Sequence, residues 1–169
     1  MLFRSVGKWS DGQTRKLADC RGRIVVLDFW DIGDGSSVSS LPVLNRLKER
    51  YEPLGVVFLS IHAPGGDERA INRVLLANQS KLVYAIDQTP VGQTDRDRGV
   101  TADLYGVRGI VPVFLIDREG KLAMRDADPG LGPKILAIMK EVGIAAGAKR
   151  ITHEESNALL EKLSAQLGH

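Results

Sequence analysis

The longest purely apolar stretch near the start of the chain is Ile24-Val25-Val26-Leu27, closed by Asp28-Phe29. An unbroken run of this kind predicts a strand buried on both faces, since a half-exposed strand would alternate apolar and polar positions. From Ser36 the spacing changes. Val38, Leu41, Leu44, Leu47 and Tyr51 recur at three and four residues, which predicts a helix with one apolar face. Asp34, Ser36 or Ser37 can cap its first turn, because a short side-chain oxygen accepts the orphan backbone N–H groups there. Leu54 to Ile61 predicts a second buried strand, entered through Pro53 and left through His62-Ala63-Pro64-Gly65-Gly66. Strand, helix, strand in this order implies a right-handed crossover and a parallel pair.

The pattern continues along the chain. Asp67 caps a helix to Asn78 with Ile71, Val74 and Leu75 on one side. Leu82 to Ile86 predicts a short strand, Asp87 to Gly99 a polar loop, and Val100 to Tyr105 a short helix. Long loops inside compact domains are commonly functional; the Asp95-Arg96-Asp97-Arg98 run within this one reads as a solvated, self-paired segment. Val113–Ile116 and Lys121–Met124 predict antiparallel strands about the turn Asp117-Arg118-Glu119-Gly120. Pro129 to Val142 predicts a closing helix, with Leu131, Ile135, Ile138, Met139 and Val142 facing the sheet. Thr152-His153-Glu154-Glu155 forms a capping box for a last helix striped by Leu159, Leu160, Leu163 and Leu167. That helix either folds back or docks on a partner. At the other end, Leu2–Val6 and Trp9–Leu17 flank Ser10-Asp11-Gly12-Gln13, which predicts an N-terminal hairpin. The fold class is α/β, with a central mixed sheet and helices on both faces.

Composition narrows this picture. With 169 residues and 43% apolar content, one compact domain is expected, large enough to need no staple. It spans residues 1–147, with 148–169 as a helical extension. The formal charge of +2 arises from 23 basic and 21 acidic residues in alternation, so no basic stripe points to nucleic acid. The apolar runs are far short of a membrane span, and Met1-Leu2-Phe3-Arg4 does not read as a secretory signal. One cysteine, Cys20, excludes an internal disulfide. Such a residue is a small buried hydrophobe, a reactive thiol or a surface accident.

Candidate chemistry centres on Asp28-Phe29-Trp30, the Asp34-Gly35-Ser36-Ser37 turn, Pro42, and the segment Tyr105 to Asp117 that holds Val111-Pro112. On these residues the chain resembles the thioredoxin-fold redoxins of the TlpA and thiol-specific-antioxidant (AhpC/TSA) kind, over roughly Trp9 to Gly143. These are bacterial envelope proteins that exchange disulfides through a C-x-x-C at the strand-to-helix junction. Asp28, Phe29, Trp30 and Pro42 stand where the family pattern places them. Asp34 and Ser37 occupy its two cysteine positions. A working first cysteine is a thiolate favoured by the helix N-terminus; a carboxylate there is ionised anyway and cannot exchange with a disulfide. Ser37 lacks the acidity to attack a mixed disulfide without a neighbouring base.

The resemblance implies several further expectations. Pro112 corresponds to a cis-proline beside which an extended chain is bound, with Val111 in place of a threonine. Asp28 corresponds to a buried acid, expected here with a raised pKa or a local hydrogen bond. The groove between Trp30, Asp34 and Val111-Pro112 would take a peptide or partner segment without redox chemistry. The competing readings are an oxidoreductase or peroxiredoxin-related enzyme using Cys20, a part of a larger redox protein that supplies the thiols, and a structural spacer. Location in the cell envelope, as an excised piece of a longer exported protein, follows from the resemblance. No cofactor is implied. A metal site at Asp28, Asp31 and Asp34 is set aside, because Asp28 lies inside the strand and a helix N-terminus repels cations. His62 sits at the strand edge where open α/β sheets bind ligands, but a lone histidine there also serves as a structural residue.

Overall fold

The computed structural model describes residues 6, 8–92, 99–107 and 112–126. The expected closing helix, the C-terminal helix, the Asp95–Arg98 run and Val111 lie outside the described residues.

The central strand β1, Val25–Trp30, is buried at all six positions, as its unbroken apolar run requires. Helix α1 follows over Gly35–Tyr51, then β2 at Val57–His62, α2 at Glu68–Ala77 and β3 at Tyr84–Ile86. The short α3, Val100–Leu104, precedes the hairpin of β4, Val113–Ile116, and β5, Leu122–Asp126. The sheet order is β3-β2-β1-β4-β5. β1 and β2 run parallel in a register that pairs Asp28 with Ser60 and Trp30 with His62; β3 is parallel to β2, while β4 is antiparallel to both β1 and β5.

The alternation of β1 divides the interior into two layers. Val26 and Trp30 pack with Leu41, Leu44 and Leu47 of α1 and Ile71 and Leu75 of α2. Val25, Leu27 and Phe29 face the other side, against Trp9, Leu17, Cys20, Phe114 and the α3 residue Ala102. The second layer is rich in aromatic contacts: Phe29 meets Tyr105 at 5.5 Å and Phe114 at 5.6 Å between ring centroids. Offset and edge-on pairs of this kind hold their partners in one orientation.

Three expectations need correction. No N-terminal hairpin forms among the described residues. Residues 9–16 contain no strand; Ser10 instead bonds to Tyr84 in both directions, its N–H to the Tyr84 carbonyl (2.7 Å) and its hydroxyl oxygen to the Tyr84 N–H (3.1 Å). Val6 makes an antiparallel bridge to Asp87. The N-terminal segment thus covers the β3 edge, which would otherwise leave backbone groups unpaired. Second, β2 begins at Val57 and includes His62, because Glu52–Leu54 forms a 3-10 turn closed by Gly55 at φ 90°. Third, β3 begins two residues late, since the Lys81 N–H is held by the Asn45 side chain (2.7 Å) before the chain joins the sheet. α1 runs through Pro42, as expected of a helix built on this pattern.

Candidate functional site

Four residues, Asp31 to Asp34, carry the chain from the end of β1 into α1. Asp31 folds the turn on itself: its carboxylate accepts from the Gly33 N–H (2.5 Å) and its carbonyl from the Asp34 N–H (3.1 Å). A Cβ at position 33 would lie 3.0 Å from Asp31 Oδ1, so glycine suits the tight return. Asp34 is the N-cap. Its Oδ1 accepts from the Ser36 N–H (3.0 Å), and its Oδ2 accepts from the Ser37 hydroxyl (2.8 Å). The Ser37 hydroxyl, helped by the Ser36 contacts, holds the Asp34 carboxyl below its usual range.

The two cysteine positions of the family pattern are therefore joined by a hydrogen bond. Ser37 is buried, and its proton points to a carboxylate that is a weaker base than an ordinary one. Such a pair neither forms a thiolate nor activates a serine. Capping accounts for both residues.

Asp28 stands behind this turn, 4% exposed, and accepts from the Ser60 hydroxyl across the strand pair (2.8 Å). Burial pushes its pKa up to about 7 against the smaller opposing effect of the Ser60 bond. A raised pKa and a hydrogen bond were alternatives for this carboxyl; it has the two together, and the partner comes from the neighbouring strand. Of the three aspartates weighed as metal ligands, each is engaged by its own partner, and no cluster of metal-ligating groups occurs among the described residues.

Cys20 lies in the other core layer, in the 3-10 turn Leu17–Cys20, with its thiol 3.9 Å from the Lys16 carbonyl. Burial is the main cause that raises its pKa. Low-pKa, accessible thiols are the reactive ones, so the buried-hydrophobe reading is the one the geometry supports.

A cleft of about 440 Å³ opens at the carboxyl ends of β1 and β2, lined among others by Trp30, Asp31, Asp34, His62, Asp87 and Val107. Of the residues expected to form a groove, Trp30 and Asp34 line this cleft and Pro112 does not. Pro112 stands beside β1 on the side away from His62, its carbonyl accepting from the Phe29 N–H (3.4 Å). Val111, and with it the geometry of the Val111–Pro112 bond, lies outside the described residues.

Two site residues escaped the sequence reading in their actual roles. His62 is 1% exposed, and its Nε2 accepts from the Ile32 N–H (3.1 Å) in the turn after β1. Asp87, read as the first residue of a loop, is buried and caps α3: its carboxylate accepts from the Gln88, Thr101 and Ala102 N–H groups at 2.9 to 3.0 Å. Neither role has a local signal, since the His62–Ile32 and the Asp87–Thr101 and Asp87–Ala102 contacts each span a dozen residues or more.

Comparison with known proteins fits this architecture. No family model matches the chain. The thiol-disulfide oxidoreductase ResA of Geobacillus thermodenitrificans is 29% identical over 112 residues, 66% of this chain and 59% of that protein. The beta-monoglucosyldiacylglycerol synthase of a Synechocystis strain is 32% identical over 100 residues, 59% of this chain and 19% of the synthase. The chain thus spans only part of the curated relatives it matches. Among solved structures, a Chlorobium tepidum protein assigned as thiol:disulfide interchange protein DsbE is 30% identical, with a TM-score of 0.61 over 79% of this chain and 92% of that one. The pneumococcal exposed lipoprotein thioredoxin Etrx1 of Streptococcus pneumoniae is 26% identical, with a TM-score of 0.64 over 80% and 97%. The chain belongs to the thioredoxin-fold redoxins, the group of DsbE and ResA, and its one cysteine lies outside the C-x-x-C position.

Proposed function

We propose that this redoxin has left thiol chemistry and serves as a binding module that receives an extended protein or peptide segment in a groove running from the cleft at Trp30 and Asp34 across the end of β1 to Pro112. The observation that carries the proposal is the Asp34–Ser37 hydrogen bond, which occupies both thiol positions with a capping pair. The cleft remains open beside them. The buried, high-pKa Cys20 weighs against an enzyme acting through that thiol. By kinship with the interchange protein and the exposed lipoprotein, we place the chain in the cell envelope. Among the described residues no helix is long and apolar enough to cross a membrane.

The test is dithiothreitol-driven reduction of insulin by the purified chain, beside Cys20→Ser and the double variant Asp34→Cys/Ser37→Cys. The expected result is an inert parent and an active double variant, whose KM for insulin rises when Val111→Asp is added. An active parent that Cys20→Ser silences would overturn the redox-silent reading. A KM indifferent to Val111→Asp would overturn the groove.

A further inference from the structure

His62 is the one imidazole among the described residues, and both of its ring nitrogens are engaged at the turn that carries the former redox positions. Nε2 lies 3.1 Å from the Ile32 nitrogen, a backbone donor, so Nε2 must present a lone pair. Nδ1 lies 2.7 Å from the Ala63 carbonyl, an acceptor, so Nδ1 carries the hydrogen. The ring is therefore the neutral Nδ1–H tautomer, fixed by its two partners.

It cannot swivel to find others. Trp30 meets it edge-on at 5.0 Å between centroids, and a Cβ on Gly66 would stand 2.7 Å from its Nδ1 and Cε1, so backbone closes that side. The Ile32 side is the softer one. The Asp31–Asp34 turn is hydrogen-bonded mainly within itself; the Ile32 N–H to Nε2 contact is its hydrogen bond to β2, beside the packing of the Ile32 side chain on the core.

We infer that His62 is a proton-operated latch: the neutral ring clamps the β1–α1 turn against β2, and the imidazolium releases it. Adding a proton to Nε2 turns its acceptor into a donor that faces the Ile32 N–H, so the contact is lost and two buried donors oppose each other. The turn then moves away from β2, taking with it Asp31, Gly33 and Asp34, which form one wall of the cleft. This goes beyond the binding proposal and does not depend on what the cleft holds.

Charged groups around the ring set the point of release. Burial is the main influence on His62 and disfavours its charged form, while the Ala63 carbonyl and the Asp31 carboxylate favour it. Asp34 on α1 and Asp87 after β3 line the same cleft, and Asp28 lies one rung back on β1. From the α2 side the neighbours are Gly66 and the apolar Ile71. The closed turn favours neutral His62, so its stability is full above the ordinary histidine value and falls as pH drops below it.

The experiment is a titration of the full, isotopically labelled chain by nuclear magnetic resonance from about pH 8 to about pH 5. The His62 ring signals are assigned by through-bond correlation to its own backbone. The expected result is an Nδ1–H ring at the alkaline end, with the Ile32 amide moving at the midpoint of the His62 ring and losing its exchange protection below it. The same transition persists in Asp28→Asn and vanishes in His62→Gln, whose amide oxygen accepts at every pH. An Nε2–H ring, an Ile32 amide indifferent to the His62 midpoint, or an Ile32 transition abolished by Asp28→Asn would each overturn the latch. If His62→Gln does not fold, the parent and Asp28→Asn titrations decide the matter.

Discussion

Asp28 sits on the central strand with its carboxyl sealed from solvent and one hydroxyl partner, and this sets a sign for how stability responds to pH. Its folded pKa is about 7 against an ordinary value of 3.8. Between those values the folded chain holds a proton that the unfolded chain releases, so stability falls as pH rises through this window. Above it the full cost applies, on the order of 4 kcal/mol at about 1.4 kcal/mol per pKa unit. Asp28→Asn keeps a polar group beside Ser60 and removes the charge. Urea unfolding should show the variant more stable than the parent near pH 8, with the gain shrinking toward pH 4. An equal difference at both ends would mean that the carboxyl is not the cause. His62 acts in the opposite direction, its contribution present at high pH and lost as pH falls, because burial lowers its pKa instead. Cys20, buried with a raised pKa, should react with a thiol reagent in the folded chain only as fast as the chain opens, and freely in denaturant. A fast native reaction would return Cys20 to the list of working residues.

At the scale of elements, α1, α2 and α3 each have an aspartate on their first-turn N–H groups, and the sequence announced Asp67, offered Asp34 among other candidates and missed Asp87. Asp34 lies one residue before α1 and was one of three residues, with Ser36 and Ser37, that position offered as its cap; the structure selects Asp34. Asp87 is a dozen residues before α3, and only the return of the chain past the β3 end brings its carboxylate to the Thr101 and Ala102 N–H groups. Gly99 completes that arrangement, for a Cβ there would lie 2.0 Å from the Asp87 carboxylate. The Asp34 and Asp87 caps should differ in cost. Asp34→Ala removes a partly exposed cap and is expected to cost about 1 kcal/mol. Asp87→Ala strands buried backbone donors and is expected to cost more, about 2–3 kcal/mol, with faster hydrogen exchange concentrated in α3. Equal costs by chemical denaturation would show that burial of Asp87 adds nothing. The strand boundaries show the same division. β1 was legible because all six of its positions are buried, whereas the start of β2 was obscured by the Glu52–Leu54 turn, and the start of β3 by Asn45 reaching across from α1.

For the whole molecule, β1 is the element that both core layers share. Leu27 is fully buried in its middle, with β2 on one side and β4 on the other. Leu27→Ala should therefore cost about 2–5 kcal/mol, the range for emptying a well-packed core position. A loss below about 1 kcal/mol in thermal or urea unfolding would mean that the layers repack around the gap. The same centrality explains why the cleft survives the loss of its thiols. Its walls are the ends of β1 and β2 and the turns they hold, and these depend on sheet pairing, not on a disulfide.

The amino-acid sequence by itself determined the strand-helix alternation, the position of β1, the short stretch Asp34–Ser37 that holds the α1 cap and the absence of thiols from the C-x-x-C position, because each is written in neighbouring residues through periodicity, capping chemistry or residue type. Only the tertiary structure decided that Ser10 and Val6 cover the β3 edge in place of a hairpin, that Asp87 caps α3, that Asp28 meets Ser60 and that His62 clamps Ile32. These are contacts between segments far apart in the chain. Their partners are chosen by strand register and layer packing, which no local pattern encodes.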